Sequence, residues 1–102
     1  MLALRPNCEI CDKDLPAHST EAMICSYECT YCKDCVEQYL HNVCTNCGGS
    51  LAPRPIRPRQ SYRPGVGLEF QPAQDQRVHT RWSMEEIKKF TAQLIAIAPE
   101  LR

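Results

Sequence analysis

No sign of charge dominates this chain of 102 residues: Lys and Arg total 12, Asp and Glu total 12, and the formal net charge is zero. That balance excludes a uniformly basic surface able to grip nucleic acid along its whole length. No apolar run is long enough to cross a bilayer, so no membrane contact is expected. The opening stretch Met1–Cys8 lacks the apolar centre of an export signal, and the expected compartment is the cytoplasm. Missing too are a Ser/His/Asp arrangement, a phosphate-binding loop and a paired-carboxylate motif, and His18, His41 and His79 stand in unrelated contexts. No catalytic residues are expected.

What the chain has in excess is cysteine: eight, all between Cys8 and Cys47. A segment of about fifty residues buries too little apolar surface to hold a fold unaided, so metal or disulfides must staple it. The order is Cys8-x2-Cys11, Cys25-x3-Cys29, Cys32-x2-Cys35 and Cys44-x2-Cys47. Two residues between cysteines make a tight knuckle that points both sulfurs at one ion, and Gly48 and Gly49 suit the turn that follows. Disulfides need an oxidising compartment. The run Cys29-x2-Cys32-x2-Cys35 starts like an iron–sulfur motif but lacks its fourth cysteine and Pro. Two structural Zn²⁺ ions are the expected cofactors. Eight thiolates saturate both, leaving neither an open position for a catalytic water nor a spare nucleophile. His41, between ligand pairs, is expected to be a partly exposed helix-end residue, favourable against the helix dipole.

Four pairs can share two ions in three ways. Residues 22–25 and 29–32 read as a hairpin turning at Ser26-Tyr27-Glu28, which brings Cys25 and Cys29 together. Along an extended strand Cys29 and Cys32 face opposite sides and serve different ions. A short helix over Val36–His41 carries the chain away before Cys44 arrives. The expected arrangement is interleaved: Cys8, Cys11, Cys32 and Cys35 on zinc 1, and Cys25, Cys29, Cys44 and Cys47 on zinc 2. Ile24, Tyr31, Val36, Leu40 and Val43 fill the space between, with Leu15 and Leu51 as caps.

Past Leu51 the character changes. The front half carries seven acids and three bases, the back half five acids and nine bases; two loaded zinc sites would take the front half to about −8. Residues 52–64 hold four Pro, four Arg and no acid, and read as a polyproline-like spacer. Val66, Leu68 and Phe70 alternate with Gly67 and Glu69, predicting a strand over 66–70 that Pro72 closes. An amphipathic helix is predicted over 84–97. Ser83 and Glu86 form its capping box, Trp82 and Ile87 a hydrophobic staple, and Pro99 lies beyond its end. Met84, Ile87, Phe90, Leu94, Ile95, Ile97 and Ala98 share one face, and Glu85 pairs with Lys89 on the other. That stripe must be covered, by the cysteine module or by the same helix of a second chain.

The segment Cys29-Thr-Tyr-Cys-Lys-Asp-Cys-Val-Glu-Gln-Tyr-Leu40, with Cys44-Thr-Asn-Cys47, resembles the RING finger in its variant with cysteine at all eight positions. Residues 1–51, with the run Ser19–Cys25, also resemble a group of short, uncharacterised bacterial cysteine-rich proteins. The expected fold is a small metal-stabilised α+β structure. A RING-like two-zinc cross-brace of hairpin and short helix over 1–51 precedes the spacer over 52–64 and an extension over 65–102. The leading function is a non-catalytic zinc-binding protein-interaction module, with a protein partner and a homodimer through the terminal helix as candidate contacts. A second reading is nucleic-acid binding through Arg54, Arg57, Arg59 and Arg63, with Tyr62 stacking on bases. A third, implied by the RING resemblance, is ubiquitin ligase activity with Ile10 contacting a conjugating enzyme. Thr45 and Gly48 stand where that activity expects Pro and a basic residue.

Overall fold

A computed structural model describes residues 1–102. Strands β1 (Ala22–Ile24) and β2 (Thr30–Cys32) form the expected antiparallel hairpin, with Ala22 opposite Cys32 and Ile24 opposite Thr30. Its turn is tight because Cys25 bonds both ways: its N–H donates to the Cys29 carbonyl at 3.2 Å, and its carbonyl accepts from Glu28 at 3.0 Å. Glu28 adopts φ 68° to close the turn. A helical turn α1 (Lys33–Cys35) follows and runs on into a π turn at Val36–Leu40. His41 ends it in left-handed geometry (φ 47°), at the helix end as expected, and is exposed rather than partly so. Asn42, also left-handed, takes the Leu51 N–H on its Oδ1 at 2.8 Å.

The spacer does not begin as a free linker. Ala52–Pro53 is a third strand, β3, antiparallel to β1, so the sheet order is β2-β1-β3. Arg54 continues the pairing by donating its N–H to the Ala22 carbonyl, and its side chain is buried. The strand expected over 66–70 does not form. Gly67 takes φ 128°, and its carbonyl accepts from Phe70 and Gln71, which curls the segment into a turn. Leu68 donates to the Pro58 carbonyl, while Val66 and Phe70 stay exposed. Alternation without a partner strand is not enough to extend a segment containing a positive-φ glycine.

Helix α2 (Met84–Leu94) carries the predicted capping box: Glu86 N–H donates to Ser83 Oγ at 3.2 Å and Ser83 N–H to Glu86 Oε1 at 3.1 Å. It stops at Leu94 rather than 97. The Ile97 N–H bonds back to Leu94 in a tighter turn, and Pro99 forces Ala98 out of helical geometry (ψ 141°) before a 3₁₀ turn at Pro99–Leu101. The helix packs on the π turn of its own cysteine module. Ile87 is fully buried there with Thr91 beside it, whereas Ile95 and Ile97 remain exposed. No helix is long and apolar enough to cross a membrane.

The core lies between hairpin and helices and includes Leu15, Tyr31, Leu40 and Val43, all fully buried, with Val36 and Leu51 at its margin. Ile24, expected among them, is only half-buried. Gly48 sets how close α2 can come. A methyl on Gly48 would lie 2.9 Å from Leu94 Cδ1, and its φ of 82° is left-handed. Gly48→Ala is expected to cost about 1–2 kcal/mol from backbone strain alone, measured as a lowered urea midpoint at fixed zinc concentration.

Candidate metal centres

The first and last knuckles are built alike. After Cys8-x2-Cys11, Asp12 adopts φ 65° and its N–H returns to the Cys8 carbonyl at 3.0 Å. After Cys44-x2-Cys47, Gly48 adopts φ 82° and its N–H returns to the Cys44 carbonyl at 2.8 Å. Gly49 is not left-handed; it donates its N–H to Cys47 Sγ at 3.4 Å instead. Three further amides reach sulfur: Ile10 to Cys8 at 3.4 Å, Tyr27 to Cys25 at 3.3 Å and Cys35 to Cys32 at 3.4 Å. The last of these makes Cys32 the N-cap of α1. Amides aimed at sulfur stabilise thiolate over thiol.

Cys8, Cys11, Cys32 and Cys35 form one group, with every Sγ within 4.8 Å of the others. Cys25, Cys44 and Cys47 form a second by the same measure. Cys29, expected with the second group, is not within that distance of all three members. It lies beside them, near Cys44 and Cys25. None of the eight cysteines is bridged to another. The donor set fits a tetrahedral thiolate site: Zn–S bonds of about 2.3 Å imply sulfur–sulfur edges near ~3.8 Å, and Cys11 and Cys32 stand 3.6 Å apart. Cys11 and Cys47 are exposed, the other six buried.

Burial pushes the Cys25 and Cys32 thiols up to about 11 and drives Cys35 further still. Cys29 is pulled down to about 5, chiefly by its hydrogen bond with Cys44, which is itself pushed up. Sulfurs this close and this dry ionise together only when a cation sits among them.

Residues with no metal-ligand signature complete the site, and the sequence pattern did not mark them. Asn7, fully buried, donates through Nδ2 to the carbonyls of Cys8 (3.1 Å) and Val78 (2.9 Å), and its Oδ1 accepts the Val78 N–H at 3.1 Å. It pairs with the extension as a strand residue would. Arg77 forks onto Asp12 Oδ1 (2.9 Å) and Asp14 Oδ1 (2.7 Å) at the same knuckle. His79 is exposed and 3.8 Å from Asp12, and His18 is exposed; none of the three histidines joins a cysteine group. The Arg77 hydrogen bond holds the Asp12 carboxyl below its ordinary 3.8. Its part in the clasp is therefore complete above that value and lost as pH falls through the lowered one. Asp12→Asn at neutral pH is expected to speed hydrogen exchange at the Val78 amide and leave the amides at Ile10 and Gly49 protected.

The expected basic patch is largely committed elsewhere. Arg54 donates to the carbonyls of Arg5, Leu15 and Pro16, and Arg57 to those of Gln71 and Leu2. Arg59 and Arg63 remain exposed beside an exposed Tyr62.

The profile of a family described as "Protein of unknown function (DUF1272)" matches residues 1–57, a span containing every cysteine. A relative described as "Uncharacterized protein R02474", from Rhizobium meliloti (strain 1021), is 60% identical over 58 residues, covering 57% of this chain and 69% of its own. No solved structure matches.

Proposed function

We propose that this chain, which belongs to the DUF1272 family of proteins of unknown function, is a non-catalytic protein-interaction module folded around two structural Zn²⁺ ions in a RING-like cross-brace. One observation carries this reading: the cysteines alternate along the chain between two clusters. Cys8, Cys11, Cys32 and Cys35 would hold one ion; Cys25, Cys44 and Cys47, with Cys29 beside them, would hold the other. Four thiolates close a tetrahedron and leave no position for water, so the ions supply charge and geometry to the scaffold. What remains for function is surface, with the half-buried Ile10 and the knuckle tips as the docking patch.

The other readings have less behind them. Nucleic-acid binding has lost Arg54 and Arg57 to internal carbonyls, leaving Arg59, Arg63 and Tyr62. A ligase needs an open groove beside the first helix, and α2 packs on the π turn there, with Phe90 and Leu94 against Gly48. Dimerisation through α2 would rest on the half-buried Met84, Phe90 and Leu94 with the exposed Ile95 and Ile97 just past its end, since Ile87 is already buried.

Elemental analysis of the purified protein is expected to give two zinc ions per chain; one ion, or iron, overturns the assignment. Affinity capture from the host is expected to retain a protein that Ile10→Asp releases, and capture that survives the substitution moves the docking patch elsewhere. A mobility shift with nucleic acid at low salt would favour the second reading instead.

A further inference from the structure

Between the two cysteine groups runs a polar chain made entirely of residues that are not ligands. Arg5 Nη1 donates to Glu9 Oε2 at 3.2 Å, and the Thr30 N–H donates to the same oxygen at 2.9 Å. Asn46 Nδ2 donates both to Glu9 Oε1 at 3.0 Å and to the Tyr31 hydroxyl oxygen at 3.2 Å. The Tyr31 hydroxyl lies 3.2 Å from Cys44 Sγ. Glu9 and Tyr31 are buried, at 3% and 0% exposure.

The direction of each bond follows from what each group has to give. An amide nitrogen carries two protons, and Asn46 spends one on Glu9 and one on Tyr31. The phenol oxygen accepts there and keeps its own proton, while a thiolate sulfur can only accept. So Tyr31 donates to Cys44, and the chain reads from Asn46 outward, to Glu9 at one end and through Tyr31 to sulfur at the other. Glu9 lies within the first knuckle, between Cys8 and Cys11; Asn46 lies within the last, between Cys44 and Cys47. The two knuckles belong to different cysteine groups. A buried carboxylate and phenol are costly to desolvate, and apolar side chains of similar volume would fill the space at less expense.

We propose that Glu9, Asn46 and Tyr31 are positioning residues that couple the two metal sites, so that each ion is held more tightly when the other is bound. This rests on the reading of two bound Zn²⁺ ions given above. An ion in the Cys44 group fixes the thiolate that Tyr31 addresses, which orients Tyr31 and Asn46 and through them the Glu9 knuckle. Loss of that ion frees Asn46, and the first knuckle loses a donor that held it closed. Outer-sphere partners of metal ligands typically change metal affinity by about 10–100-fold.

The test is zinc release from the full-length, zinc-loaded chain to the chromogenic chelator 4-(2-pyridylazo)resorcinol. The Ile10 and Gly49 amides, which point at Cys8 and Cys47, report by NMR which group empties. The native protein is expected to lose both ions in one phase, with both amides changing together. In Asn46→Ala, at an exposed position that leaves the core intact, the phase is expected to split, the ion of the Cys44 group leaving roughly tenfold faster. Tyr31→Phe, which keeps the buried ring, is expected to split it likewise. A packing defect alone would speed both releases in parallel and leave one phase, which would overturn the proposal. So would two independent phases in the native protein. A native chain that binds no zinc overturns the functional reading as well, whereas two ions released independently overturn the coupling alone.

Discussion

Treated with a strong chelator, the protein is expected to lose the folded state of residues 8–47 altogether. Only 24 of its 102 residues are buried, and six of those are cysteines. Structural Zn²⁺ contributes on the order of 10–16 kcal/mol per ion in small metal-folded units, comparable to or larger than the whole net stability of about 5–15 kcal/mol found for ordinary domains. With no cation among them the clustered sulfurs must protonate or repel, and the apolar core that remains, with Leu15, Tyr31, Leu40 and Ile87 its largest members, is small. The expected readout is collapse of amide dispersion and of near-ultraviolet circular dichroism, restored by Zn²⁺ and not by Mg²⁺. An unchanged spectrum, with no thiols titratable by Ellman's reagent, would mean that sulfur–sulfur bonds hold the fold.

The second large effect is expected at Arg54. Arg54 is 5% exposed, and its guanidinium donates to three carbonyls: Arg5 at 2.8 Å, Leu15 at 3.1 Å and Pro16 at 2.9 Å. Two of the three flank the first knuckle closely in sequence, so the fork ties the third strand to the segment carrying Cys8 and Cys11. Hydrogen bonds to charged groups contribute about 1.5–3 kcal/mol each and are not additive. Arg54→Met fills part of the volume and strands the carbonyls, for an expected loss of roughly 2–4 kcal/mol in urea unfolding at fixed zinc. Arg54→Lys keeps the charge on a point donor that cannot fork across three acceptors, so it should recover less than half of the loss. A change within about 0.5 kcal/mol for Arg54→Met, the range of ordinary surface substitutions, would mean that water replaces the side chain at those carbonyls.

Arg54 also marks where sequence reasoning stops. The hairpin was legible because a cysteine pair spaced by three residues closes on itself, and because Cys29 and Cys32 must face opposite sides of a strand. The grouping of Cys8, Cys11, Cys32 and Cys35 follows from that geometry. The start of α2 was legible because Ser83 and Glu86 form a local device whose partners are three residues apart. By contrast, Arg54 in a run of Pro and Arg looks like a solvated linker, since its three acceptors lie 38 to 49 residues away and are backbone oxygens common to every residue. Asn7 reaches 71 residues along the chain to Val78 for the same kind of partner. The failed strand at 66–70 is the converse case: a local pattern was present, but no neighbouring strand met it. Tyr31 was readable as a core aromatic, though not as a sulfur's hydrogen-bond donor, because ring and hydroxyl give one signal in a hydrophobicity profile.

The sheet's outer edge has a consequence for how the protein behaves in a crowded solution. β3 ends in Pro53, with Pro55 and Pro58 close behind, and proline has no N–H to offer a further strand. A flat, unpaired edge invites other chains to stack on it and grow into fibres; here that growth is refused on the β3 side by the residue type itself.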